Sequence, residues 1–259
     1  MCVKENKVFD YNKIYFSVPE NEERYIKYAI DNPDMNKEEI VWRVNNNLDK
    51  EKYQFDVEVL DGNDLYVIVN KYFKLPSNYS PTDLVEVDGS LMRKAVAEAY
   101  IKMRDAAQKE GFSIKVVSAY RAIEDQQRLY NKFLLDDPVE VVDETCARPC
   151  YSEHHTGLAV DVEGSVKGAR NISKTPEAAW VEKNCYRFGF ILRYLPEIVE
   201  ITGYASEPWH LRYIGVQAST DMKEKNIKSF EEYKERFLKL KTNDGRIALG
   251  KETWEEENA

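Results

Sequence analysis

A chain of 259 residues, 43% hydrophobic and 12% aromatic, holds enough apolar material for one sizeable core, or for a core with a smaller appended unit. Its formal net charge of -9 excludes nonspecific attraction to nucleic-acid phosphates or anionic lipid as a main function. No run approaches the roughly 20 apolar residues that a membrane-spanning helix needs, and MCVKENKVFD lacks the apolar centre of a signal peptide, so the chain reads as cytosolic or as stripped of an export segment.

The first eighty residues differ in pattern from the rest of the chain. NEERYIKYAIDN and MNKEEIVWRVNNNLDK carry apolar residues at helical spacing, among them Ile40, Val41, Val44 and Leu48, with a cap signal in Asn36 and Glu39, so two short helices are expected. FDVEVLDGNDLYVIVNKYFKL alternates on both sides of Asp61 and Gly62, a hairpin pattern. LPSNYSPTDLVEVDG, rich in Pro, Ser and Asn, reads as a linker. Residues 1–80 are therefore expected to form an accessory unit of two helices and a hairpin.

From Ser90 to Gly111 the pattern predicts a long amphipathic helix stopped by the glycine. FSIKVVSAYR comes next as a buried strand, IEDQQRLYNKFLL as a helix, and DDPVEVVDETCARPCYSE as a loop. LAVDVEG, FILRY and EPWHLRYIG read as strands, with the helix TPEAAWVEKNCYRFG after the first of them. SFEEYKERFLKL is helical, and residues 241–259 form a solvated tail. Residues 81–240 are thus an α+β unit with short, locally connected strands. The four cysteines, Cys2, Cys146, Cys150 and Cys185, lack paired CxxC spacing, so free or disulfide-linked thiols are expected rather than a second metal site. Cys2 could also be the lipid-bearing first residue of a processed lipoprotein.

Two of the three histidines stand together in SEHHTGLAVDV. Alternation along the strand puts Asp161 on the face of small Ala159, and Gly157 lets the chain bend so that His154 returns toward that carboxylate. In EPWH, Pro208 excludes a helix and holds Glu207 extended next to the strand that carries His210. Each histidine alone would ordinarily be a core or surface residue. Together, His154, Asp161 and His210 suit a tetrahedral ion such as zinc, with the fourth position open and Glu207 near it as a base. His155 faces the other way on an extended chain and reads as a supporting or surface residue. Trp209 is either core or cleft wall.

Three motifs in this order, SAYR at Ser118 to Arg121, SEHHTGLAVD on the pattern SxHxxGxAxD, and EPWH on the pattern E-x-W-H, resemble the VanY-type D-alanyl-D-alanine carboxypeptidases, zinc peptidases acting on bacterial peptidoglycan stems. The resemblance covers about Leu84 to Gly215. It implies a small antiparallel sheet flanked by helices, zinc on His154, Asp161 and His210, and Glu207 as general base. It further implies that Arg121 contacts substrate and polarises the scissile carbonyl, and that Gln126 and Ser152 hold the stem peptide. From the residues alone, Arg121 reads rather as a salt-bridge partner of one of the many carboxylates, and the other two could equally be surface polar groups. The implied function is a zinc D,D-carboxypeptidase; the alternatives are an L,D-carboxypeptidase on tetrapeptide stems and a non-cutting cell-wall binding module. No Ser-x-x-Lys nucleophile is present, since SVKG does not supply one. The implied location is extracellular or in the cell envelope, with the targeting segment absent from this chain.

Overall fold

The computed structural model describes residues 10–54, 57–59, 61–241 and 247–249. The chain divides into two compact units, Met1–Glu51 with Glu231–Ala259, and Lys52–Phe230. Cys2 and residues 250–259 lie outside the described residues.

In the smaller unit the two expected helices form, α1 over Glu22–Asp31 and α2 over Lys37–Asn45. Asn36 caps α2, its side chain accepting the Glu39 N–H at 2.8 Å. Arg24 fastens α1 to the end of α2 by donating to Asp49, Asn47 and the Val44 carbonyl. The expected C-terminal helix is short: Phe230–Tyr233 passes into a π-helical turn, Lys234–Leu238. Ile247–Leu249, inside the segment read as a solvated tail, instead pairs antiparallel with Lys239–Lys241.

The larger unit is α+β, as expected. Its central sheet has four strands in the order β3 (Lys115–Ser118), β4 (Ala159–Glu163), β6 (Glu207–Tyr213), β5 (Phe190–Tyr194), with every neighbouring pair antiparallel. The two earlier strands, β1 (Leu84–Val87) and β2 (Ser90–Arg93), form a separate hairpin. That hairpin corrects the reading of LVEVDG as linker and of Ser90 as a helix start. Asp88 and Gly89 both take positive φ, 51° and 79°, which makes a tight turn whose twist matches that of the strands. Helix α3 therefore begins only at Lys94 and runs to Lys109. Its buried face, Val96, Tyr100, Met103 and Ala107, packs with Val160 and Val162 of β4, Phe190 and Leu211 into one core. Each of the Val, Leu, Phe and Met side chains among them contributes roughly 1.5–3 kcal/mol relative to exposure.

Helix α4 (Ile123–Phe133) comes after β3 as expected. The segment beyond it, read as a loop, contains α5 (Val139–Thr145), which buries Val142 against Tyr130 and Cys146. Helix α6 (Pro176–Asn184) connects β4 to β5.

Residues 52–80 belong to the larger unit, not to an accessory domain ending at residue 80. The reason is their burial: Val67, Val69 and Leu75 are core residues, and the Leu75 N–H donates to the Cys150 carbonyl. No hairpin forms about Asp61 and Gly62 among the described residues. The Gly62 carbonyl instead accepts from the Tyr79 hydroxyl at 2.7 Å, and the local pairings are isolated bridges, Glu58 with Lys74 and Asn70 with Phe73.

Candidate active site

Two neighbouring strands build the site. Asp161 on β4 stands directly opposite His210 on β6. His154 arrives from the short 3-10 turn Glu153–Thr156 that precedes β4. Ser152 starts this turn, its hydroxyl accepting the His154 N–H at 3.3 Å, and Gly157 ends it at φ 66°, a left-handed conformation that brings His154 back over the strand. The His154 Nδ1 proton is given to the Ala119 carbonyl at 2.6 Å, which leaves Nε2 facing Asp161 Oδ2 at 3.2 Å.

An irregularity in β6 supplies the next group. Leu192 pairs with Leu211 but Tyr194 pairs with Glu207, so β6 carries more residues than β5 over this stretch. The bulge turns both Glu207 and His210 into the cleft, with Glu207 Oε2 at 3.8 Å from His210 Nδ1. His210 Nδ1 also lies 3.2 Å from Asp161 Oδ1.

One nitrogen or oxygen atom from each of His154, Asp161 and His210 lies within 4.8 Å of the other two. Asp161 Oδ1 is buried and takes no hydrogen bond, an unmet acceptor that a cation satisfies. Two imidazoles and a carboxylate are a donor set suited to Zn2+, and three protein ligands leave a coordination position open. The residues therefore fit a catalytic metal.

Electrostatics are set by burial and neighbours. Burial alone would raise the Asp161 pKa, but the two histidines hold its carboxyl well below the usual range. Burial opposes charge on His210 too, yet Asp161 and Glu153 at its two ring nitrogens push it up to about 9 in the metal-free protein. Glu207 is pushed up to about 7 by burial, with the Asp161 carboxylate adding to the rise and His210, Arg170 and Arg121 offsetting only part of it. A carboxylate poised there suits general base chemistry near neutral pH.

Arg121 lines the same cleft, of about 210 Å³, and its guanidinium is aimed by donating to Gln126 Oε1 and Ser118 Oγ, both at 2.8 Å. Gln126 and Ser152 line the cleft as well. The Gln126 amide is largely engaged inside the protein, with Nε2 donating to the Ala147 carbonyl at 2.7 Å. Trp209 is part of the cleft wall. His155 is turned away from the ion site and is buried. Cys146, Cys150 and Cys185 are free thiols, and Cys146 lines the cleft.

Sequence reasoning missed Glu153. This carboxylate is wholly buried, with Oε2 3.3 Å from His210 Nε2 and Oε1 accepting from Arg193 at 2.8 Å and Arg212 at 2.9 Å. It thereby fixes the His210 ring with Nδ1 toward the ion site. A signal was present: FILRY and WHLRY each place an arginine in an otherwise apolar strand, and a buried arginine demands a buried acid. Arg170 was also missed; it is exposed at the cleft and close enough to Glu207 to offset part of the effect of burial on its pKa.

Comparison with known proteins agrees with this geometry. Residues 89–216 match the family model of VanY, D-alanyl-D-alanine carboxypeptidase. YodJ of Bacillus subtilis (strain 168), whose name reads "Putative carboxypeptidase", is 34% identical over 73% of this chain and 76% of its own length. The LD-carboxypeptidase LdcB superposes with a TM-score of 0.65 at 33% identity, covering 72% of this chain and 92% of LdcB. A variant of the D,D-pentapeptidase VanY from a VanB-type resistance cassette, solved with Zn(II), gives a TM-score of 0.58 at 29% identity, covering 67% and 99%. With its sheet, its His-Asp-His cluster and these relatives in agreement, the chain belongs to the VanY D-alanyl-D-alanine carboxypeptidase family.

Proposed function

We propose that this chain is a zinc carboxypeptidase that removes the terminal D-alanine from peptidoglycan stem peptides ending in D-Ala-D-Ala, acting in the cell envelope or outside the cell. The observation that carries the reading is Asp161 Oδ1, buried and without a hydrogen bond between two histidines, with the Glu207 carboxylate beside it. His154, Asp161 and His210 would hold the zinc, which supplies Lewis-acid polarisation of the scissile carbonyl and lowers the pKa of water. Glu207 takes one proton from the attacking water as its oxygen adds to the carbonyl carbon. It returns that proton to the amide nitrogen as the C–N bond breaks and D-alanine leaves. Arg121, held by Gln126 and Ser118, donates to the developing oxyanion. Arg121 and Arg170 also make the cleft attractive to a peptide that ends in a carboxylate. Retention of Glu207 argues against a binding module that no longer cuts.

L,D-cleavage of tetrapeptide stems is the second reading, favoured by the similarity to LdcB over 92% of that protein. Mass spectrometry after incubation with pentapeptide and tetrapeptide stems side by side separates the two. Loss of one alanine from the pentapeptide supports the first reading; trimming of the tetrapeptide alone replaces it with the second.

Metal analysis of the purified protein is expected to give one zinc per chain, lost in His210→Ala. Because His210 is held protonated up to about 9 without metal, binding must expel that proton. Zinc affinity should therefore rise about tenfold per pH unit below that value, with proton release detectable by calorimetry in buffers of different ionisation enthalpy. A pH-independent affinity would remove His210 from the ligand set.

A further inference from the structure

We propose that His155 is a positioning residue for Arg121. This deepens the reading of Arg121 given above and rests on it. His155 is 1% exposed, and both its ring nitrogens are engaged away from the ion site. Nδ1 lies 2.7 Å from the Arg121 carbonyl, and Nε2 lies 3.2 Å from the Cys150 amide. A carbonyl only accepts and an amide N–H only donates, so the ring is the neutral Nδ1–H tautomer, giving one bond and taking the other.

Both ends of the Arg121 peptide unit are thereby tied to one turn. Its N–H donates to the His154 carbonyl at 3.1 Å, and its C=O accepts from His155. The metal-ligand candidate and its neighbour grip the residue whose guanidinium faces the cleft. The other side of the His155 ring is anchored as well. Cys150 takes φ 73°, a conformation unfavourable for a residue with a Cβ, and persists there with its amide bound to His155 and its carbonyl accepting from Leu75 at 2.9 Å. The imidazole thus links the Arg121 backbone through Cys150 to the Leu75 segment, and this chain of bonds fixes where the Arg121 backbone sits. Since Gln126 and Ser118 fix only the far end of the side chain, a shift of that backbone would move the guanidinium out of line with the scissile carbonyl.

A double-mutant cycle tests this, using the stem peptide that the wild-type protein hydrolyses. His155→Leu is expected to lower kcat/KM by about 10- to 100-fold, mostly in kcat, while zinc content stays at one per chain. In the Arg121→Ala background the same change should cost less than about twofold, because residues acting as one unit are not additive. His155→Gln should recover most of the activity, because a carboxamide can both donate to the Arg121 carbonyl and accept from the Cys150 amide. Full activity in His155→Leu, or a loss that multiplies with that of Arg121→Ala, overturns the proposal while leaving the role of Arg121 intact. A silent Arg121→Ala overturns the role of Arg121 and this proposal together. If His155→Leu does not fold, the cycle is run with His155→Asn, whose shorter amide cannot span both partners, and the same outcomes decide.

Discussion

Glu207→Gln is expected to lower kcat by about 10²- to 10⁴-fold, the range a positioned general base supplies, while the protein still binds one zinc. The amide keeps the shape of the side chain at the bulge in β6 but cannot accept a proton. Its partner in the geometry, His210, keeps both of its carboxylate neighbours, so the proposed metal ligands are not disturbed. The pH profile carries the sign. A base works only when deprotonated, so kcat/KM of the wild type should rise with pH through one titration. Burial pushes Glu207 up to about 7 in the metal-free protein. A dication close by favours the carboxylate, so the rise in the zinc enzyme should lie below that value. Glu207→Gln should lose the limb together with the rate. Steady-state turnover from pH 4 to 9 measures both, and a variant that keeps the wild-type limb would assign the proton transfer to another group.

The second large effect concerns stability. Removing the Glu153 carboxylate, as in Glu153→Leu, is expected to destabilise the protein by roughly 3–5 kcal/mol, because it strands buried charge. Arg193 and Arg212 have side chains that are 0% exposed, and each gives Glu153 a short hydrogen bond. Those two guanidinia outweigh the effect of burial and hold the Glu153 carboxyl far below its ordinary range. A depressed carboxylate pKa contributes stability that is complete above the unfolded value, about 4.3. It is lost progressively as pH falls from there toward the folded value. Urea unfolding of the metal-free proteins at pH 7 and near pH 3 should therefore show the two midpoints far apart at neutral pH and closer together in acid. Equal midpoints at pH 7 would mean that the two arginines find other partners.

Much of the ion site was legible because it is carried by strands and short turns whose geometry is local. Alternation in LAVDV, the bend allowed by Gly157 and the extended chain imposed by Pro208 put His154, Asp161, Glu207 and His210 into candidate positions without any knowledge of the fold. The β6 bulge was not legible, since a register shift depends on what the partner strand does. Hairpin placement failed for a related reason. Of the three Asp-Gly pairs in the sequence, alternation favoured Asp61–Gly62; among the described residues a tight turn forms at Asp88–Gly89, where short strands close without interruption. Around Asp61–Gly62 the apolar run Val67, Ile68 and Val69 is buried, and tertiary packing overrides the pairing preference. Glu153 escaped, and His155 was read as a supporting or surface residue without a partner, for a third reason. Their partners, Arg193, Arg212 and Arg121, lie more than thirty residues away, and a polar residue beside a motif gives no local sign of being buried.

Arg212 carries a practical consequence for anyone choosing where to cut this chain. One nitrogen of its guanidinium serves Glu153, but another donates to the carbonyls of Leu65 and Val67, both at 2.9 Å. Those carbonyls lie upstream of the region that matches the family, which begins at residue 89. An expression fragment trimmed to the matched region would therefore strip two acceptors from the arginine that steadies Glu153. A fragment that keeps this hydrogen bonding begins upstream of Leu65, and the compact unit that contains it begins at Lys52.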